Sequence, residues 1–415
     1  MTGLNRFKKY PLAILFIFLF IYLGNMFCEG SGTLKSLPEQ AEDQTRYAGS
    51  ASCKNCHKDI YDAQLLTAHY MDSRPALEKF IKGSFKKPKN RFRLNKFTEV
   101  VMNKTDSGFF QSAFINDILF RQEAFGMVIG SGRKGQSYLY WDGGRMFQLP
   151  VSYFTPLNSW CNSPGYNNLE AYFNKAISGR CIECHSTYAK TTIDPDGVTR
   201  FDSSSIIYGI DCERCHGPSA AHVEFHLKNP NEKQARFVID PKSLSRERRM
   251  DACALCHSGF RKEKLPPFSF LTGDQLDDFS TPDYKEENSS TLDVHGNQFG
   301  LLTSSKCFKS SRMDCSSCHD THHNEVNNTL LFSSRCMNCH KEHSPDACTF
   351  NPPKGLILSN NCVDCHMPLL ASRKIFLQMD DPQKSTADLV RTHRIAIYPD
   401  ITKKFLKSGA ARGIN

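Results

Sequence analysis

The chain has 415 residues, of which 40% are hydrophobic and 23% charged, the composition of an ordinary globular protein two or three domains long. This composition excludes a collagen, a coiled coil and a wholly disordered chain. Lys and Arg number 52 and Asp and Glu 43, so the formal net charge is +9. The basic residues are scattered along the sequence, so the mild excess does not indicate a nucleic-acid partner. The unusual feature is the abundance of 18 cysteines and 15 histidines.

Residues 1–30 have the layout of an export signal. Three basic residues within positions 6–9 precede an apolar run at 12–23. Small residues suitable for cleavage occur only near 30–32, and the whole apolar segment approaches the roughly 20 residues that span a bilayer. A cleaved signal peptide and an N-terminal membrane anchor are therefore both open. Either one predicts an exported protein, in the periplasm or on the outer face of the cytoplasmic membrane.

The pattern Cys-x-x-Cys-His occurs seven times and uses fourteen of the 18 cysteines. Numbered as motifs one to seven in chain order, the repeats contain Cys53/Cys56/His57, Cys181/Cys184/His185, Cys212/Cys215/His216, Cys253/Cys256/His257, Cys315/Cys318/His319, Cys336/Cys339/His340 and Cys362/Cys365/His366. Two thiols at this spacing can bond the two vinyl groups of one porphyrin, and the adjacent histidine can bind the iron. The repetition predicts seven covalently bound c-type haems, each with one proximal histidine.

Two other uses of these cysteines are weaker. Cys315/Cys318 and Cys336/Cys339 are spaced like a zinc ribbon, but zinc does not require a histidine after every second cysteine, and five motifs would stay unexplained. Seven disulfides within Cys-x-x-Cys pairs would make a poor structural framework. Three further cysteines of the mature chain receive no functional role: Cys161, Cys307 and Cys348. The simplest interpretation is that two of them form a disulfide and the third is a buried thiol.

The second axial position of each iron needs another donor. Outside the motifs the sequence offers eight histidines, which are His69, His222, His226, His295, His322, His323, His343 and His393. Two imidazoles on opposite faces of one iron need α-carbons ~13 Å apart, whereas residues three positions apart span at most ~11 Å. His322 therefore cannot serve the iron of His319, and by the same limit His343 cannot serve the iron of His340. Either one, as a ligand, would belong to a neighbouring iron, which implies closely packed haems.

The spare histidines also include two close pairs. His322 and His323 are adjacent, so one of them is expected to ligate, and His222 and His226 would share one face of a helix, where one or both could serve. One ligand from each pair leaves six distal histidines for seven irons. One iron is then open or bound by another side chain.

A stretch of 123 residues separates His57 from Cys181 without a further motif. Within it Asp142, Gly143 and Gly144 lie between alternating aromatic and polar residues and predict a β-hairpin. We expect a multihaem domain over residues 31–395 with a small β-containing insertion at about 75–175. Residues 396–415 are expected to be a C-terminal tail.

Several stretches resemble the exported multihaem cytochromes related to cytochrome c-554, among them YAGSASCKNCHKDIYDAQLLTAHY, GRCIECHSTYA, YGIDCERCHGPSAAHV, MDACALCHSGF and CVDCHMP. That family is related by haem packing to nitrite reductases and hydroxylamine oxidoreductase. The resemblance implies a mainly α fold with little regular sheet. It also implies that the distal iron ligands are His69, His222, His295, His322, His343 and His393.

The favoured function is electron transfer through closely packed haems, mostly ligated by two histidines, with redox proteins or a membrane quinol-linked donor as partners and no nucleic acid. The alternative is an oxidoreductase acting on a small nitrogen or sulfur compound at one five-coordinate haem. Whether the protein is an enzyme stays open, because the sequence lacks the Cys-x-x-Cys-Lys motif of ammonia-forming nitrite reductases. The candidate open iron is that of His185, with Arg180, Tyr188 and Tyr166 lining its distal side.

Overall fold

Antiparallel β-sheet organises the long interval between the first two motifs. The computed structural model describes residues 46–166, 170–283, 292–341, 348, 350, 357–380 and 384–407. The strands are β1 (Ser73–Pro75), β2 (Arg91–Arg93), β3 (Thr98–Thr105), β4 (Gly108–Ile115), β5 (Ile118–Ala124), β6 (Met127–Ile129), β7 (Gly135–Asp142), β8 (Arg145–Gln148), β9 (Val151–Phe154), β10 (Ser159–Asn162), β11 (Lys175–Ala176), β12 (Ser186–Tyr188), β13 (Thr191–Ile193), β14 (Thr199–Phe201), β15 (Ile207–Tyr208), β16 (Arg261–Glu263), β17 (Ser280–Pro282), β18 (Leu369–Leu377) and β19 (Thr386–Arg391).

The strands form two larger sheets and three two-stranded sheets. The larger sheet follows the order β1-β6-β7-β8-β14-β13, with β9, β10 and β11 attached to it, and the smaller one follows β2-β3-β4-β5. The pairs are β12-β15, β16-β17 and β18-β19. The predicted turn at Gly143 and Gly144 is confirmed: both glycines have positive φ, and Asp142 pairs with Arg145 across the β7–β8 hairpin. Two positive-φ residues are what a tight two-residue hairpin turn requires.

The core of this β region lies between the two larger sheets. Phe92 and Val100 of the smaller sheet pack in one buried cluster with Tyr138 and Val151 of the larger one. Strand β4 contributes Phe109 and Ala113 to this cluster, and its half-buried Phe110 and Phe114 lie on the opposite face. Because this cluster draws its members from residues 92–173, the insertion has a hydrophobic core of its own.

The helices are short, and most of them lie at the motifs. They are α1 (Ser50–Cys53), α2 (Lys58–Gln64), α3 (Gly179–Glu183), α4 (Cys212–His216), α5 (Ala220–Lys228), α6 (Arg246–His257), α7 (Leu276–Phe279), α8 (Gln298–Thr303), α9 (Lys306–Lys309), α10 (Thr329–Cys336), α11 (Cys362–His366) and α12 (Pro399–Lys407). Short 3-10 turns occur at Glu78–Phe80, Thr155–Leu157, Ser203–Ser205, Pro241–Ser243, Cys315–Ser317 and Leu358–Asn360. The longest described helix, α6, has 12 residues.

The expectation of a mainly α fold with little regular sheet is wrong, because antiparallel sheet dominates the architecture. A Cys-x-x-Cys-His motif needs little more than one helical turn to present its two sulfurs and its imidazole. The motifs therefore impose only short helices, and the chain between them is free to form sheet. The insertion at about 75–175 is where sheet was predicted, but it holds two sheets instead of a small β element.

The predicted export segment, residues 1–30, lies outside the described residues, and so does His343. In the part of the chain that the structure describes, no helix combines the length and the apolar character needed to cross a bilayer. Helix α12 falls within the segment predicted to be a C-terminal tail. The described residues all belong to one structural unit, Gln44–Asn415.

Candidate haem sites

Each motif is wound into a helical turn that presents its cysteines and histidine together. The amide of His57 donates to the carbonyl of Cys53 at 2.9 Å, and His319 donates in the same way to Cys315 at 3.0 Å. Asp314 caps the turn at the fifth motif by accepting from the amide of Ser317 at 3.2 Å. The local fold therefore sets the relative positions of the two thiols and the imidazole.

The polypeptide does not enclose all of the predicted haem cysteines. Cys56, Cys181 and Cys339 are exposed, whereas the other eleven motif cysteines are half-buried. In the first and sixth motifs the adjacent histidines, His57 and His340, are exposed as well. A porphyrin vinyl group has to reach each sulfur from outside the polypeptide, so an exposed thiol is compatible with covalent attachment. Haem attachment at these three sulfurs stays a prediction from the motif spacing.

Several motif histidines have their ring Nδ1 engaged by a hydrogen-bond acceptor. The acceptor of His216 is the carbonyl of Ile239 at 2.8 Å, and that of His366 is the carbonyl of Ala396 at 2.9 Å. Such a contact places the proton on Nδ1, fixes the ring, and leaves the lone pair of Nε2 for a metal. This is the tautomer that an axial iron ligand needs.

Three motif histidines each face a histidine from outside the motifs. The ring centres of His257 and His69 are 6.1 Å apart, with their planes crossed at 64°. The rings of His216 and His322 are 6.0 Å apart at 22°.

The third pair joins His319 to His393, with ring centres 6.2 Å apart and planes inclined at 23°. A metal–imidazole bond of about 2.0 Å and about 1.1 Å from nitrogen to ring centre predict about 6.2 Å between two imidazoles that share one metal. The ring separations of all three pairs therefore match that of a bis-histidine iron. In each pair one member is a predicted proximal ligand and the other a predicted distal ligand.

The protonation of these rings favours metal binding. Burial lowers the pKa of His69 to about 4, and burial likewise lowers the pKa of His393 to about 4. Both imidazoles are neutral at pH 7, so their nitrogen lone pairs are available without displacing a proton.

The structure orients two further distal candidates. The Nδ1 of His222 lies 2.8 Å from the carbonyl of Arg236, and that of His295 lies 3.0 Å from Asp388 Oδ2, so both have Nε2 available. His226 is the ring neighbour of His222, at 4.6 Å, and its Nε2 is buried without a hydrogen-bond partner. The assignment of His222 over His226 stays a prediction.

The two alternative uses of the cysteines are not supported. Among the described residues, no three Cys, His, Asp or Glu side chains converge to hold a bare metal ion. In place of a ribbon, Cys315 contacts Cys253 of the fourth motif and Cys336 contacts Cys362 of the seventh. The described cysteines are all free thiols.

The cysteines outside the motifs differ in their surroundings. Cys161 packs in a small apolar cluster with Leu377 and Met379, and burial raises the pKa of its thiol to about 12. Cys307 is half-buried and Cys348 is exposed. Cys161 therefore behaves as a small core residue.

A buried carboxylate joins the first motif to the third, and another joins the third motif to the second. Glu213, inside the third motif, accepts from the amides of Ala48 and Gly49, just before the first motif, at 2.8 and 2.9 Å. Arg214, the next residue, lies 3.6 Å from Glu183 of the second motif. The residues between the two cysteines of a motif thus hold it against its neighbours.

The second, fourth and fifth motifs continue the series. Arg180, just before the second motif, donates to the carbonyl of Leu255 within the fourth. Arg249, in the helix of the fourth motif, donates to Asp314, which precedes the fifth, at 2.8 Å. The thiols of Cys253 and Cys315 are also in contact.

Hydrogen bonds also connect the fifth motif to the sixth and the sixth to the seventh. Arg335, just before the sixth motif, donates to the carbonyl of Cys318 in the fifth at 2.6 Å. The hydroxyl of Ser333 accepts from the amide of Val363 in the seventh at 3.4 Å. The contacts therefore link all seven motifs, from the first through the third, second and fourth, which are mutual neighbours, to the fifth, sixth and seventh.

The side chains proposed for an open distal face at His185 have structural partners. Arg180 and Glu183 form a buried ion pair at 2.7 Å. Tyr166 donates to the carbonyl of Gln148 at 2.6 Å, and Tyr188 is buried against Phe268.

Sequence reasoning missed the carboxylates that contact axial histidines. Asp72 Oδ2 lies 2.8 Å from Nδ1 of His185, although 113 positions separate the two residues. Asp388 and His295 are 93 positions apart. No local pattern marks such pairs, because only the tertiary packing of distant segments brings them together.

Two comparisons relate the chain to known proteins. The family model described as cytochrome c554 and c-prime matches residues 163–217, which contain the second and third motifs. The chain is similar to c-type cytochromes there. This match supports an electron-transfer cytochrome that carries covalently bound haem c. No curated protein matches the sequence significantly.

Among solved structures, the one titled "Crystal Structure of Outer Cell Wall Cytochrome OcwA" is similar, with a TM-score of 0.52 and 16% identity. The match covers 86% of this chain and 81% of that one. At this identity the likeness shows a shared fold. Because it covers 86% of the chain, the likeness extends well beyond the 163–217 segment.

Proposed function

We propose that the protein is an exported c-type cytochrome that binds seven haems and carries electrons along them. The observation that carries the proposal is the set of three imidazole pairs whose ring centres lie 6.0 to 6.2 Å apart. A coincidence at one pair would mean little. Three pairs at the spacing of a shared iron, each pairing a motif histidine with a spare one, favour low-spin sites suited to electron transfer.

Different residues of the chain would attach the porphyrin, ligate the iron and orient the ligands at each site. The two cysteines of a motif hold the porphyrin covalently, and the following histidine and a distal histidine complete the iron's coordination. The Nδ1 acceptors fix the tautomer and the ring plane. A haem bound in this way supplies one-electron redox chemistry.

The contiguous series of motifs supports transport in preference to storage at isolated sites. Contacts as close as 2.6 Å, between Arg335 and the Cys318 carbonyl, join neighbouring motifs. We propose that electrons enter and leave at the ends of the series. The partners would be other redox proteins or a membrane quinol-linked donor, on the outer side of the cytoplasmic membrane.

The alternative of an oxidoreductase with one open iron gains no support from the side chains suggested for it. Arg180 and Tyr166 are committed to Glu183 and to the Gln148 carbonyl. Their polar groups are therefore already engaged within the protein.

The test is to export the full chain in a host that attaches c-type haem, and to measure its intact mass and its pyridine haemochrome spectrum. We expect the mass and the spectrum to report seven haems per chain. A variant with Cys181→Ala and Cys184→Ala should contain six, whereas Cys161→Ala should keep seven. A product whose mass shows no covalent haem would rule the proposal out.

A further inference from the structure

The Nδ1 of His185 contacts a carboxylate, and buried hydrogen bonds fix the backbone next to both residues. Asp72 Oδ2 lies 2.8 Å from His185 Nδ1. The residues that follow each partner, Ser73 and Ser186, are fully buried and joined through their hydroxyls at 2.9 Å. The amide of Gly209 donates to the same Ser73 hydroxyl at 2.8 Å. The two backbones are therefore fixed next to the contact, so the carboxylate is held at the ring.

The other motif histidines with a visible Nδ1 contact have neutral acceptors. His216 and His366 face backbone carbonyls at 2.8 and 2.9 Å. His257 faces the side-chain amide oxygen of Gln298 at 3.4 Å, a longer and weaker contact. His185 is thus distinguished from these three by the charge of its partner.

That difference has an electronic consequence at a bound iron. A carboxylate that accepts the Nδ1 proton increases the basicity of the ring and its electron donation through Nε2. Stronger donation, together with the negative charge itself, stabilises the ferric state over the ferrous state. A neutral carbonyl or amide acceptor stabilises the ferric state less.

We propose that Asp72 is a positioning residue that lowers the reduction potential at the second motif below that at the fourth. The proposal rests on the proposed function, since it presupposes a haem at each motif. The two motifs are neighbours, because Arg180 beside the second bonds to Leu255 of the fourth.

The turn that carries Asp72 also serves the fourth motif. His69, which faces His257, lies three residues earlier, and the amide of Asp72 donates to its carbonyl at 3.1 Å. One short segment therefore supplies a neutral ligand to one iron and a charged acceptor to the histidine of the next. The reduction potential is therefore lower at the second site than at the fourth, which favours electron transfer from the second site to the fourth. The transfer leaves ferric iron at the second site and forms ferrous iron at the fourth.

A second carboxylate contact shows what should weaken this effect. Asp388 lies 3.0 Å from Nδ1 of His295, but Lys134 Nζ lies 2.7 Å from its other oxygen. The ammonium offsets the charge that His295 meets. Among the described ion pairs no Lys or Arg faces Asp72, so its charge acts without this compensation. The charge also reaches His69 and His257, but only His185 is in direct contact with the carboxylate, so the effect is largest at the second motif.

The test is a spectroscopic redox titration of the full holoprotein at fixed pH, with Asp72→Asn as the main variant. Asparagine can still accept from Nδ1 but lacks the charge. We expect the reduction equilibrium of one haem to shift about tenfold toward the ferrous form, a rise of about 59 mV. The charge-matched control Asp196→Asn removes a carboxylate from a hairpin tip, where it pairs with Arg145, and should leave the titration unchanged.

The converse variant keeps the test decisive if Asp72→Asn is poorly produced. Gln298→Glu introduces a carboxylate at His257 and should lower the potential of one haem. Unchanged titration curves for the variants that carry the native haem complement would overturn the proposal. The haemochrome spectrum separates this result from failure of the proposed function, because the latter would show as missing haem.

Discussion

The choice between two adjacent histidines can be decided at the level of single residues. The ring of His322 lies 6.0 Å from that of His216, whereas His323 is turned toward Asp320, at 2.8 Å, and is exposed. We predict that His322→Ala converts one haem from low-spin to high-spin, because the iron loses its second strong-field nitrogen. Low-temperature EPR of the oxidised holoprotein measures the change directly.

His323→Ala is the matched control, since it removes the same side chain one position away. Its spectrum should equal that of the native protein. A high-spin signal in the His323 variant and none in the His322 variant would reverse the assignment of the distal ligand.

At this scale the sequence predicted most of what the structure brings together. The motif spacing predicted the proximal histidines, and the limit on chain span excluded His322 from the iron of its own motif. The structure then places His322 opposite a different motif histidine, His216. Asp72 could not be predicted, because its contact with His185 depends on the packing of β1 against β12, which belong to different sheets, and leaves no mark in either local sequence.

Glu183 is the residue through which the second motif, the third motif and the segment at Phe268 are held together. Its carboxylate accepts from Arg180 and from the amide of Phe268, both at 2.7 Å, and lies near Arg214. All three charged side chains are buried. Replacing Glu183 by Ala leaves two buried guanidinium groups without their counter-ion.

We predict that Glu183→Ala lowers the free energy of unfolding by about 3–5 kcal/mol, the usual cost of removing one partner from a buried ion pair. Guanidinium unfolding of the holoprotein, followed by far-UV circular dichroism, provides the measurement. Glu224→Ala removes an exposed glutamate that pairs with Lys228, and its unfolding midpoint should stay at the native value. Equal effects of the two substitutions would contradict the role given to Glu183.

The elements show why the motifs did not predict the fold. One turn of helix satisfies a motif, and the helix of the third motif has only five residues. The hairpin at Gly143 and Gly144 was visible because two turn residues lie between alternating segments. The pairing of the smaller sheet, and its packing on the larger one through Phe92 and Tyr138, depends on contacts between distant strands. Periodicity predicts strands but not which sheet each one joins.

For the whole molecule, bound haems would change the charge that the protein presents to its partners. The sequence carries +9, and removal of residues 1–30 takes away three basic residues and one acidic residue, which leaves +7. Each haem adds about −1 when oxidised and about −2 when reduced, because two ionised propionates outweigh a ferric core of +1 and a neutral ferrous core. Seven haems therefore give a net charge of about 0 in the oxidised state and about −7 in the reduced state.

This charge change predicts the electrophoretic behaviour of the holoprotein at pH 7. The oxidised form should be almost stationary in native capillary electrophoresis, and the dithionite-reduced form should move to the anode. The Cys181→Ala, Cys184→Ala variant, with one haem fewer, should be displaced toward the cathode by about one charge when oxidised and about two when reduced. An uncleaved N-terminus would add two positive charges to every form, which shifts all mobilities together and leaves the differences intact. Equal mobilities of the oxidised and reduced forms would show that the chain does not take up one electron per motif.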